Sequence, residues 1–152
     1  MRPAFLVAAV VSFTTPSAAD EMRYTNARFG TSIAFPAEIF AQAMEPPANG
    51  DGMTWRSADG ASLSVYGQYN VLEKSPKDLI AEAAQPGVSV TYSRAGKDWA
   101  VVSGTDNNTI FYQRSEFGAD DTIHSVLLRY PATQKARYDP LVGPIVATLD
   151  GP

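Results

Sequence analysis

Apolar and polar residues alternate along several stretches of the chain, which is the pattern of half-buried β-strands. Within residues 61–69, Leu63 and Val65 alternate with Ser62, Ser64 and Gln68, and a period of two places the two sets on opposite faces of a sheet. Further strand-like segments lie at 22–27, 32–35, 53–57, 88–93, 99–103, 109–114 and 122–130. Together these segments predict an antiparallel β-sheet of about six to eight strands.

Turn-forming residues separate the predicted strands. Asp59-Gly60 favours a tight hairpin between residues 53–57 and 61–69, because both residue types accept the backbone angles of a two-residue turn. The stretch WAVVSGTDNNTIFYQR, residues 99–114, predicts a second hairpin that reverses at residues 104–108, with Ser103-Gly104 at the mouth of the turn. Residues 45–52, EPPANGDG, are interpreted as a loop within one domain.

Two segments have the capping and spacing signals of helices. Ser75 is a good N-cap, followed by Pro76 and Asp78, and residues 79–84 continue with apolar positions at helical spacing until Gln85-Pro86-Gly87. A C-terminal helix is predicted to begin at Asp139-Pro140 and to bend at Pro144. Two main helices packed on an antiparallel sheet define an α+β fold class.

The first residues have the layout of an export signal. Arg2 precedes a ten-residue apolar run at 4–13, and Ser17-Ala18-Ala19 supplies the small residues of a cleavage site. The run is about half the length that spans a bilayer. We therefore expect residues 1–19 to be a cleaved signal peptide and residues 20–152 to form a single α+β domain. This predicts a periplasmic or secreted protein with no membrane span in the mature chain.

Composition excludes several classes of function. The net charge is −4 and no Lys/Arg cluster is present, so nucleic acid is not an expected partner. The chain has no cysteine, which excludes thiol catalysis and thiolate metal sites. Neither glycine-rich phosphate-binding motif occurs. We expect no cofactor.

The candidate catalytic and metal-binding residues form no complete set. Ser103-Gly104 resembles a nucleophile's turn, but Val101 stands where the motif needs glycine. His124 is the only histidine and lies in a strand pattern, where a structural role is the usual one. Aspartate and asparagine occur in the loops at 49–52, 59–60, 106–108 and 120–121 without the spacing of a calcium loop. We predict a non-enzyme, with no catalytic or metal residue, and keep a serine or carboxylate hydrolase acting on envelope material, or a calcium-stabilised domain, as alternatives.

Aromatic residues on the predicted strands are the remaining candidates for binding. A platform for an unknown protein, peptide or small ligand is predicted at Tyr66, Tyr69, Trp99, Tyr112 and Arg114, because aromatic rings combine apolar area with a polar tip. The alternative interpretation is that these rings only pack beneath the helices. Tyr66 shares its face with serines and glutamine, so that face is expected to be in contact with water.

Several short motifs carry a resemblance to a known family. They include Arg28-Phe29-Gly30, Phe35-Pro36, Asp59-Gly60, the run 99–104 (WAVVSG) and Tyr138-Asp139-Pro140. In these motifs the chain resembles a family of uncharacterised periplasmic proteins of Gram-negative bacteria, and its order of elements is similar to that of the PsbP-like α/β/α sandwich. The resemblance implies an accessory or binding protein of the bacterial envelope, since PsbP-like proteins are not enzymes.

Overall fold

The computed structural model describes residues 20–152, so the predicted signal peptide lies outside the described residues. Nine strands and two helices follow one another in this part of the chain. The strands are β1 Glu21–Thr25, β2 Ser32–Pro36, β3 Gln42–Ala43, β4 Gly52–Arg56, β5 Ser62–Tyr69, β6 Val88–Ala95, β7 Trp99–Asp106, β8 Thr109–Phe117 and β9 Thr122–Pro131. Helix α1, Pro76–Ala83, precedes β6, and helix α2, Lys135–Val146, follows a 3-10 turn at Ala132–Gln134.

Seven strands form one antiparallel sheet in the order β3-β4-β5-β9-β8-β7-β6, and β1 and β2 pair separately. The two helices lie on opposite faces of this sheet. Leu79 of α1 clusters with Ala100 and Ile123 on one face, here called the α1 face. Val142 of α2 belongs to the core built on Leu128 of the other face, the α2 face. The predicted α+β class, with two helices on an antiparallel sheet, is confirmed.

The main core lies on the α2 face. In the register of β5 with β9, Leu63 is opposite Leu128 and Val65 is opposite Val126, and all four side chains are fully buried. The β1–β2 hairpin covers them together with α2, and it contributes Phe35 to the same cluster. The side chains of residues 61–69 therefore point alternately into this core and toward the α1 face.

The hairpin predicted in residues 99–114 is present, but its turn is shorter than expected. Strand β7 continues to Asp106, and only Asn107-Asn108 lie between it and Thr109. Ser103 and Gly104 pair with Tyr112 and Phe111 inside the ladder, so the Ser-Gly pair is not at the mouth of the turn. Glycine is required at position 104 because a Cβ there would lie 2.0 Å from the carbonyl oxygen of Ser89.

Helix α1 begins where the sequence predicts it, whereas helix α2 begins earlier than predicted. Helix α1 has the predicted capping box, in which the Ser75 amide donates to the Asp78 carboxylate at 2.7 Å. Helix α2 begins four residues before the predicted Asp139, at Lys135. Its early turns are held by the buried ring of Tyr138, which stacks on Tyr130 at 5.3 Å, so packing outweighs the breaking effect of Pro140. No helix within residues 20–152 has the length and apolar character needed to cross a membrane.

Candidate functional site

A cavity of about 640 Å³ lies on the α2 face, between helix α2 and strands β6, β7 and β8. It exists because α2 packs over β9 and leaves the outer strands of that face uncovered. We call it the α2 cavity. Its walls are Thr91, Ser103, Gly104, Thr105, Ile110, Tyr112, Tyr130, Ala132, Lys135, Asp139, Val142 and Gly143. Apolar side chains with a few polar tips are typical of a site for a small organic molecule.

The phenol of Tyr112 lies at the floor of the α2 cavity, where it can bind a ligand. Its ring is half-buried, and within residues 20–152 its hydroxyl makes no hydrogen bond. Burial raises the pKa of Tyr112, as does the neighbouring Tyr92, against an opposing effect of Arg114. The hydroxyl is therefore neutral at physiological pH and can donate or accept a hydrogen bond. Ser103, opposite it in the ladder, already donates to the carbonyl of Phe111 at 2.8 Å.

The polar side of the α2 cavity is a short chain of hydrogen bonds between strand β9 and helix α2. The Tyr130 hydroxyl donates to Asp139 Oδ1 at 2.8 Å, and Lys135 forms an ion pair with the same carboxylate. Burial raises the pKa of Tyr130 strongly, and the bond to Asp139 adds to this effect. For Asp139, burial acts to raise the pKa, but the bonds from Lys135 and Tyr130 outweigh it and lower the pKa. Asp139 is thus an ionised, already partnered carboxylate rather than a proton acceptor for catalysis.

The predicted binding residues are divided between two faces. Tyr112, Trp99 and Arg114 share the α2 face, as the registers of β7, β8 and β9 require. Tyr112 lines the cavity, and the Arg114 guanidinium lies 5.3 Å from the centre of the Trp99 ring while its Nε is 2.8 Å from Glu116. Arg114 and Trp99 therefore continue the open surface beyond the cavity lining.

Tyr66 and Tyr69 lie elsewhere. Tyr66 is on the α1 face, where it is opposite Ser125 and its hydroxyl accepts a hydrogen bond from Gln113 at 3.4 Å. Burial raises its pKa. It borders a second cavity of about 390 Å³ that includes Asp51. Tyr69 is exposed and packs edge-on against Phe29 of the β1–β2 hairpin, with ring centres 5.0 Å apart.

Sequence reasoning missed the helix side of the site. Lys135, Asp139, Val142 and Gly143 line the α2 cavity, but the sequence pattern indicates Asp139 only as the start of a helix. The spacing of Lys135 and Asp139, four residues apart, fits one helix face once the earlier start of α2 is known. No signal in the sequence places this face against Tyr112.

The hydrolase hypothesis built on Ser103 and His124 is wrong. Ser103 lies across β8 from Leu128, and His124 is four residues further along β9, so the two side chains are separated by roughly 13 Å along the strand direction alone. His124 is fully buried. Its Nδ1 is 2.7 Å from the Thr31 hydroxyl, and its Nε2 is 3.2 Å from the carbonyl oxygen of Pro152. The histidine is a structural residue.

The acidic loops show other roles than calcium binding. Asp59 accepts hydrogen bonds from Ser57, at 2.7 Å, and from Tyr138, and Asp106 pairs with Arg129 at 2.9 Å. Among residues 20–152 no three side chains of the His, Cys, Asp or Glu type come together as a metal site would need. The described part of the chain thus offers no support for the calcium alternative.

Comparison with known proteins identifies the fold. No protein-family model matches the chain, and no curated protein sequence matches it. The chain is similar to the solution structure of cyanobacterial PsbP (CyanoP) from Synechocystis sp. PCC 6803, with a TM-score of 0.61 and 12% sequence identity over 93% of this chain and 98% of that chain. The predicted PsbP-like fold is confirmed. Membership of the family of periplasmic proteins stays a prediction, since at this identity the likeness concerns the fold alone.

Proposed function

We propose that this protein is an exported, non-catalytic accessory domain of the bacterial envelope that binds a small, largely apolar molecule in the α2 cavity. The observation that carries the proposal is the cavity itself. At about 640 Å³ it lies within the roughly 300–1,000 Å³ of small-molecule sites. Its ligand would rest on Ile110 and Val142 and meet the free hydroxyl of Tyr112.

The polar groups of the cavity suit binding better than turnover. The Ser103 hydroxyl is used by a backbone carbonyl, and the Asp139 carboxylate is neutralised by Lys135. Neither is set beside an imidazole, since His124 is buried in another part of the sheet. A nucleophile without a base, and a carboxylate with a lowered pKa, cannot carry general acid–base chemistry efficiently near neutral pH. The PsbP-like fold, which the resemblance associates with accessory and binding proteins, supports the same conclusion.

Gly143 provides a direct test of binding in the α2 cavity. It lies within helix α2 and lines the cavity, and a Cβ at this position would meet no neighbour within 4 Å. Leucine at position 143 should therefore fill part of the cavity without disturbing the helix. The matched control is Gly143→Ala, which has the same backbone effect but adds only one methyl group.

The probe is 8-anilinonaphthalene-1-sulfonate, a dye whose fluorescence rises in apolar sites. We expect the dye to bind the wild type and G143A similarly, and G143L at least about tenfold more weakly, which corresponds to about 1.4 kcal/mol. Y112F should weaken binding less, because only one hydrogen bond is lost. Equal binding by G143L and the wild type would exclude the α2 cavity as the site.

Export is tested separately, by the mass of the protein recovered from the periplasm or the medium of cells that express the full chain. We expect a chain that begins at Asp20. Recovery of the intact chain from the cytoplasm alone would contradict the predicted export while leaving the cavity untouched.

A further inference from the structure

Strand β6 is an exposed edge of the seven-stranded sheet. Within residues 20–152 it pairs with β7 alone, and it forms the end of the strand order opposite the two-residue strand β3. Six of its eight residues are exposed. An edge of this length presents a row of backbone N–H and C=O groups that another strand can use.

The register shows which backbone groups of β6 point outward. The Trp99 carbonyl accepts a hydrogen bond from the Gly96 amide at 2.8 Å, so odd-numbered residues of β7 direct their backbone groups toward β6. Their partners Ser89, Tyr92 and Arg94 consequently point inward. The register shifts between Val90 and Tyr92, where Thr91 is the extra residue of a bulge. The outward-facing residues are Val88, Val90, Ser93 and Ala95, and Val88 offers only its carbonyl because its amide already donates to Gln85 at 3.0 Å.

The edge has few of the features by which proteins protect such strands. Residues 88–95 contain no proline, no lysine and no acidic residue, and Arg94 is their only charge. The bulge at Thr91 and the charge of Arg94 are the two protective features of this strand. A strand with these properties is suited to pairing once a partner matches its pattern.

We propose that β6 pairs antiparallel with β6 of a second copy of this chain, with Val90 opposite Ser93 of the second copy. In this register the outward-facing residues of both copies meet one another, since Val88 is also opposite Ala95. The bulge lies at the centre of the paired segment in both copies. Both strands therefore carry the same register shift, and the ladder of hydrogen bonds continues on either side of it. The strand is thus complementary to itself, which favours a second copy over an unrelated peptide.

Charge favours the same register. Arg94 would face Ser89 of the second copy, whereas a slip that placed Arg94 opposite itself would bring two like charges together. A two-fold axis perpendicular to the sheet keeps the α2 faces of both copies on the same side. Ser89 and Arg94 both lie on that face, because they pair with Thr105 and Val101, so their side chains would be direct neighbours.

Ser93 offers a test that leaves the β6–β7 ladder intact. Its amide points outward, so proline at this position removes a hydrogen bond to the second copy but none to β7. Sedimentation velocity of the protein produced from the full chain, over a range of concentrations, should show dimers of the wild type and of the control S93A. For S93P the dissociation constant should rise at least about tenfold.

The register itself is tested at Ser89. In the proposed dimer, S89E creates two ion pairs with Arg94 and should tighten association by roughly threefold to tenfold, while S89K should weaken it. A wild type that remains monomeric at every concentration overturns the proposal and leaves the edge to a different protein. Association that S93P does not weaken, or that S89E and S89K affect alike, also overturns it.

Hydrogen exchange covers the case in which S93P fails to fold. In the wild type, the amides of Val90, Ser93 and Ala95 should become protected as the protein concentration rises, and unchanged exchange of these amides contradicts the pairing. The Val88 amide already donates to the carbonyl of Gln85 at 3.0 Å and is left out of the comparison. The proposed dimer is independent of the proposed ligand. G143L alters the α2 cavity and should leave the dissociation constant of the dimer unchanged.

Discussion

Replacing Thr31 by valine removes one hydrogen bond and almost nothing else. Thr31 lies directly before β2 and is fully buried, and its hydroxyl is 2.7 Å from Nδ1 of His124. Valine has the same shape, so the packing of the β1–β2 hairpin should be preserved. The imidazole nitrogen, however, is left buried without its partner, and an unsatisfied polar group of this kind costs about 1–3 kcal/mol.

The assay is unfolding in urea followed by tryptophan fluorescence. We expect the free energy of unfolding of T31V to fall by about 1–3 kcal/mol with an unchanged m-value. The matched control is T25V, at an exposed position of β1, which should stay within about 0.5 kcal/mol of the wild type. Dye binding in the α2 cavity should be the same in both variants. A T31V protein as stable as the control would refute the structural role assigned to His124.

Two further predictions concern stability. A Cβ at Gly67 would lie 2.4 Å from the Cβ of Phe29, so G67A should push the β1–β2 hairpin off the sheet and cost about 1–3 kcal/mol in urea unfolding; a neutral G67A would show that this contact is loose. The pKa of Asp139 is lowered from 3.8, so its contribution to stability is complete above the unfolded value and is lost as the pH falls through the folded one. Acid unfolding curves of D139N should therefore be flatter below about pH 4 than those of the wild type, and identical curves would contradict the assigned bonds to Lys135 and Tyr130.

Local sequence signals predicted those parts of the fold whose causes are local. The period of two in residues 61–69 matches strand β5, because one face is buried in the core and the other is not. The cap at Ser75 marks the start of α1, since the hydrogen bonds that form it lie within four residues. Helix α2 begins earlier than its local signals predict, because the ring of Tyr138 holds the earlier turn through a contact with Tyr130.

The composition of the candidate site depends on the pairing register between neighbouring strands, which the sequence of a single strand does not specify. Alternation within a strand shows that neighbouring residues face opposite ways, but only the pairing across strands decides that Tyr66 and Tyr112 lie on different faces. The same holds for His124, whose partner Thr31 is 93 residues away in sequence. For this reason the sequence predicts Tyr112 and Tyr66 as members of one platform and does not separate them.

Once the register is known, the position of the α2 cavity follows from polarity. On the α2 face, the central strands present Leu63 and Leu128, whereas β7 presents Ser103 and Thr105 at the outer part of the same face. An amphipathic helix packs where apolar area can be buried, so α2 settles on the central strands and stops short of the hydroxyl-bearing ones. The cavity is the boundary between these two regions, and a ligand bound there would gain apolar contact from the helix and hydrogen bonds from the sheet.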